Sequence, residues 1–166
     1  NGDGDAFDQV LHLYSFLDGK SRNMGFDTYS VSMANGLVVF GAREDGTDLN
    51  GDGDGNDTVL HVHDLSTGET SNLGIEGSID VFAEPPVPVG RFIAWRRHFT
   101  STLYVYDADQ KTTDLLGVRG LLLRATDAPR VVIAVYESSE GDLNGDGDET
   151  DFVLNLYDPA SGTLQN

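Results

Sequence analysis

Cysteine is absent from the 166 residues, which excludes disulfide staples and thiolate metal sites and leaves the redox compartment unmarked. No apolar run approaches the roughly 18 residues of a membrane span, and no secretory leader pattern stands at the start. Proline is scarce, at 5, and Lys and Arg together number 10 against 28 Asp and Glu. The resulting formal net charge of -18 would repel a phosphate backbone, so nucleic acid is not an expected partner. No nucleophile elbow, phosphate-cradling loop or Ser-His-Asp order stands out. The chain opens on Asn1 rather than Met, so a processed or truncated piece of a longer protein is expected.

What is abundant is Gly, with 20 residues, and acid in short bursts. The stretch Asp48-Leu-Asn-Gly-Asp-Gly-Asp-Gly-Asn-Asp57 recurs as Asp142-Leu-Asn-Gly-Asp-Gly-Asp-Glu-Thr-Asp151, and its last eight positions open the chain as Asn1-Gly-Asp-Gly-Asp-Ala-Phe-Asp8. Oxygen side chains at loop positions 1, 3, 5, 7 and 10, with Gly at 4 and 6, suit a hard cation that takes six to eight oxygens around a tight turn. Calcium is the expected ion, in two to three copies. Magnesium holds its water and prefers a rigid octahedron, and zinc needs nitrogen or sulfur. The expected ligands of the first loop are Asn1, Asp3, Asp5 and Asp8; lacking a residue at position 1, it should bind most weakly. Those of the second are Asp48, Asn50, Asp52 and Asp57, with Asp54 giving a backbone carbonyl or its carboxylate. Those of the third are Asp142, Asn144, Asp146, Asp148 and Asp151. The three loops hold 12 of the 28 acidic residues, so much of the charge imbalance is metal-site charge awaiting a cation.

Internal repeats decide the fold class. Asn1–Asn23, Asn50–Asn72 and Asn144–Asn166 are one unit: acidic loop, then Val-Leu-His-Leu-Tyr, Val-Leu-His-Val-His or Val-Leu-Asn-Leu-Tyr, then a polar turn ending in Asn. A further copy lacks the loop. Arg91–Arg97 aligns with Leu37–Arg43 and with Val131–Glu137, while Thr102–Asp107 aligns with Val59–Asp64. On this alignment the acidic loop is an 11-residue insertion in a hairpin.

Each unit reads as four strands, A to D. A is an apolar run (37–40, 92–95, 131–136), B carries the Val-Leu-His-Val-His pattern, and C ends near Asn23-Met-Gly25, Asn72-Leu-Gly74 or Leu115-Leu-Gly117. D falls near 28–33, 78–82 and 121–125. Apolar runs without alternation mean strands buried on both faces, and no helix is required. Four-stranded units at 40–50 residue spacing point to an all-β chain of antiparallel β-propeller blades. About three and a half blades are expected, over 1–33 (partial), 34–83, 88–126 and 129–166 (partial), forming an arc of a larger propeller or assembly.

The phrase Phe92-Ile-Ala-Trp-Arg-Arg, followed by Leu103-Tyr-Val-Tyr-Asp-Ala108 and Asp114-Leu-Leu-Gly117, resembles the repeats of TolB-type propellers. The acidic loops are similar to the D-x-N-G-D-G-x-x-D loops of FG-GAP and integrin-type propellers, which hold calcium in a hairpin of the blade. Here one extra residue precedes the closing acid, leaving position 9 or 10 to complete the shell; position 10 is Asp in all three copies. The resemblance implies architecture more than activity.

Other residues have blander readings. His61 and His63 are read as strand surface, with His12 at the same repeat step as His61. Trp95 is read as core, although with Arg96 and Arg97 it could bind a sugar or carboxylate. Asn56-Asp-Thr58 is a glycosylation sequon in letters only, since its Asn lies inside a calcium loop. The expected function is a calcium-stabilised extracellular or cell-surface scaffold or interaction module, binding itself, another protein chain or a glycan. The alternatives are a subunit that completes blades between chains, and the propeller part of a secreted hydrolase or lyase.

Overall fold

In a computed structural model of the chain, residues 1, 2, 4, 6–28, 30–76, 87–96, 100–125 and 130–166 are described. They are nearly all β. The strands are β1 (Val10–Ser15), β2 (Lys20–Asp27), β3 (Val31–Ala34), β4 (Leu37–Arg43), β5 (Thr58–Asp64), β6 (Thr70–Glu76), β7 (Val87–Val89), β8 (Phe92–Arg96), β9 (Thr102–Asp107), β10 (Thr112–Ala125), β11 (Val131–Tyr136), β12 (Phe152–Asp158) and β13 (Thr163–Gln165). Among the described residues a single helical turn, α1 (Glu137–Glu140), leaves β11, where no helix was expected.

All pairings are antiparallel. β1 and β2 form a hairpin, β3-β4-β5-β6 a four-stranded sheet, and β13-β12-β11-β10-β9-β8-β7 a seven-stranded one. The larger sheet is two four-stranded sets that share β10. Its Thr112–Arg119 half pairs with β9, and its Gly120–Ala125 half with β11. Gly120 stands at the handover, where a Cβ would lie 2.3 Å from the Ala134 carbonyl oxygen, so no other residue fits without backbone movement.

The strands expected near 28–33 and 121–125 pair with the first strand of the next unit, and β7 pairs with β8 in the same way. Val31 faces Phe40, and Val87 faces Ala94. The reason is turn chemistry. Asn35 and Gly36, with φ of 52° and 80°, make a two-residue hairpin turn that can only join adjacent antiparallel strands. The strand expected at 78–82 lies outside the described residues.

Register also corrects the repeat alignment by one step. Ala42 faces Val59 as Val135 faces Val153, so Glu44, not Arg43, is the counterpart of Glu137. In the unit without a loop, Phe92 is the counterpart of Leu37, because both face the aspartate that ends the second strand.

Each sheet packs on the following one. Leu11 meets Val38, Phe40 and Ala42. Leu37, Val39, Leu60 and Val62 meet Ile93, Trp95 and Tyr106. Phe92, Ala94, Leu103 and Val105 meet Val131, Ile133, Val135 and Tyr157. Strands such as β4 are therefore covered on both faces, as their unbroken apolar runs require.

Candidate metal centres

The second and third acidic loops hang from the β4–β5 and β11–β12 hairpins. In the second, hairpin pairing continues past the strands: Glu44 N–H donates to the Asp57 carbonyl at 3.0 Å and Gly46 N–H to that of Gly55 at 2.8 Å. A Cβ on Gly55 would sit 2.8 Å from Gly46 backbone carbon, so this closure depends on glycine. The third is closed by Glu137 N–H on the Asp151 carbonyl at 3.1 Å.

Beyond these stems, each acid curls the backbone that follows it. Asp48 accepts N–H bonds from Gly51 at 2.6 Å and Gly53 at 3.1 Å, and Asp142 accepts them from Gly145 at 2.6 Å and Gly147 at 3.0 Å. Asn50, Asp52 and Asp54 each take the N–H two residues on, as do Asn144, Asp146 and Asp148. These successive Asx turns are the local conformation that short acidic side chains favour. Gly51 and Gly53, at φ of 83° and 101°, take the left-handed conformations the curl demands.

The curl gathers carboxylates. One oxygen from each of Glu137, Asp146, Asp148 and Asp151 lies within 4.8 Å of the others, and Glu44, Asp54 and Asp57 form the matching group in the second loop. Asp48 and Asp142 lie outside these groups, with both oxygens engaged by glycine N–H groups. The amide of Asn50 bridges Asp52 at 3.1 Å and Asp57 at 3.4 Å, and that of Asn144 reaches Asp146 at 3.2 Å. Of the first loop, Asn1 and Asp8 are described, while Asp3 and Asp5 lie outside the described residues.

Four of the described loop acids shift in pKa, two upward and two downward. Asp57 is pushed above the ordinary carboxylate range, first by burial and then by Asp52, Glu76 and Asp54. Asp151 is raised first by the charge of Asp148, then by burial, Asp146 and Glu137. Asp52 is lowered by the Asp54 N–H and the Asn50 amide, and Asp148 by the hydroxyl and N–H of Thr150. Hydrogen-bond donors favour the ionised form of Asp52 and Asp148, while neighbouring charge disfavours that of Asp57 and Asp151, an imbalance that a cation would relieve.

Two kinds of residue escaped the sequence reading. Glu44 and Glu137 are buried at the mouths of the loops. Glu44 accepts from Leu49 N–H at 2.8 Å and, with its other oxygen, from Asp57 N–H at 3.0 Å. Glu137 Oε1 accepts from Leu143 and Asn144 N–H at 2.8 and 3.1 Å, whereas Oε2 has no hydrogen-bond partner. The signal was a glutamate following the first hairpin strand in both units that carry a complete loop. The second kind is the asparagine that ends the units with a complete loop: Asn72 Nδ2 donates to the Leu49 carbonyl, and Asn166 Nδ2 to that of Leu143, both at 2.8 Å. In the unit without a loop this position is Leu115, facing Tyr104 as Asn72 faces His61.

The histidines correct the sequence reading. His61 and His63 are 5% and 2% exposed, because neighbouring sheets cover both faces of β5. His61 lies against Phe26 and Phe40 and contacts the Val59 carbonyl through Nδ1 at 3.0 Å. His63 Nδ1 meets Thr70 Oγ1 at 2.9 Å. Trp95 is buried and stacks on Tyr104, in keeping with a core role; Arg97 lies outside the described residues.

No family model matches this chain, and no curated protein matches it. Among solved structures, the acylaminoacyl peptidase of Pyrococcus horikoshii is similar at 15% identity and a TM-score of 0.47, with 82% of this chain covered. The match spans 24% of that peptidase chain.

Proposed function

We propose that this chain is a calcium-binding segment of an extracellular or cell-surface β-propeller, acting as a scaffold or interaction module whose hairpin loops are stabilised by the ion. The observation that carries the reading is the convergence of acidic oxygens within 4.8 Å in both completely described loops. Oxygen-only donors on flexible loops favour calcium over magnesium or zinc. Repeating antiparallel four-stranded sets, each packed on the next, support propeller blades. The mechanism is linkage: an ion that binds only the folded loop adds RT ln(1 + [L]/Kd), about 2.7 kcal/mol per site at one hundred times Kd. Thermal unfolding in calcium, magnesium and chelator, with bound ions counted by native mass spectrometry, tests this. A calcium-specific rise in Tm with two or three ions is expected; no shift and no ion would overturn it.

A second reading, assembly with another sheet of the same kind, is favoured by one face. Leu60, Leu103 and Leu154 occupy one repeat step and are 1%, 0% and 61% exposed. Phe152, Leu156 and Leu164 are exposed with Leu154, leaving the last sheet with the apolar surface that its predecessors bury. Sedimentation velocity in calcium tests it: a species larger than the monomer supports assembly, and a strict monomer at all concentrations opposes it.

A further inference from the structure

We infer that Glu137 is a direct ligand of the cation in the third loop, through Oε2, and that this makes the third loop the tighter site. The inference rests on the reading that the loops hold calcium, and adds to it a residue outside the repeated acidic motif.

Glu137 is 0% exposed, and its carboxylate reaches the group formed by Asp146, Asp148 and Asp151. Oε1 is held by two backbone N–H groups while Oε2 meets no donor. A buried carboxylate oxygen left without a partner is costly, and a cation among the neighbouring acids would remove that cost. The two N–H bonds also fix the carboxylate before any ion arrives, so little ordering is needed on binding. Glu44 differs at this one point. Both of its oxygens already accept loop N–H groups, so although it stands in the second group it offers no oxygen as free as Glu137 Oε2. More negative ligands raise calcium affinity, and the third loop therefore fills first.

Calorimetric titration of calcium into the 166-residue chain and into Glu137→Gln tests the assignment. The amide oxygen of Gln can still accept from Leu143 and Asn144, but its NH2 group cannot ligate. The wild-type chain is expected to bind ions with unequal constants, and Glu137→Gln to weaken the tightest by about tenfold or more, leaving the others unchanged. Calcium binding by the wild type with every constant unchanged in Glu137→Gln would overturn the role of Glu137 alone. A wild type that binds no calcium would instead overturn the calcium reading. Should Glu137→Gln not fold, the carboxyl carbon resonance of Glu137 in the wild type decides: movement with the first equivalent supports ligation, and constancy throughout overturns it.

Discussion

Asn72 ties a loop to a sheet with one amide. Its Nδ2 holds the Leu49 carbonyl, while its Oδ1 takes the Gly74 N–H at 2.7 Å in the bulge of β6. Asn72→Ala removes both bonds and is expected to cost about 1–3 kcal/mol while weakening calcium binding at the second loop. Asn23→Ala, which removes the Gly25 N–H bond, should cost less; urea unfolding and calcium titration of the two variants check the pair. His61 supplies a pH dependence of known sign. Burial lowers its pKa below the ordinary 6.5, partly offset by the Val59 carbonyl, so the folded chain holds it neutral after the unfolded chain has taken a proton. Its contribution is intact above the unfolded value and is lost as pH falls through that value toward the folded one. His61→Gln, compared with wild type in chelator, is expected to flatten the fall in stability between about pH 7 and 5. Urea titrations across that range would refute this if the two curves stayed parallel.

The hairpin carrying an acidic loop is an element with a loopless twin. Replacing residues 44–57 by the short connection between β8 and β9 should preserve the β3–β6 sheet, remove one bound ion, and leave stability in chelator equal or higher, because the repelling carboxylates are gone. Native mass spectrometry and a melt in chelator measure both effects. Gly120→Ala is expected to destabilise by about 1–3 kcal/mol, measured by urea unfolding, since its Cβ would collide with the Ala134 carbonyl. Much of this was legible in the sequence. Continuous apolar runs such as Leu37–Phe40 marked strands covered on both faces, and the repeated Asp-x-Asn-Gly-Asp-Gly pattern marked the loops. What escaped depends on neighbours. The partner of the fourth strand was set by Asn35-Gly36, a turn signal weaker to the eye than the repeats. The glutamate at each loop mouth was hidden by a one-residue difference between hairpins, which moves Glu137 onto Arg43 in a simple alignment. The continuity of β10 was masked by Gly117, whose bulge, a register shift between Leu115 and Arg119, absorbs what reads as a strand end. His61 and His63 looked like surface because alternation along one strand cannot report a second sheet above it.

For the whole molecule, the proposed propeller has a simple test in one repeated leucine. Leu60→Asp puts a charge between packed sheets and is expected to unfold the chain, whereas Leu154→Asp, on the open face, should leave Tm nearly unchanged and abolish any self-association. Circular dichroism melts and sedimentation of the two variants check this. The shared strand has a wider effect. Since β10 belongs to both the β7–β9 set and the β11–β13 set, neither can open by itself without breaking pairing along a continuous chain. Amide exchange in β8, β9, β11 and β12 should therefore follow a single cooperative opening. An ion seated in the third loop would slow exchange in β8 and β9, whose own hairpin carries no acidic loop. On the proposed calcium reading, an ion held at one hairpin would thus protect strands at the far side of the same sheet.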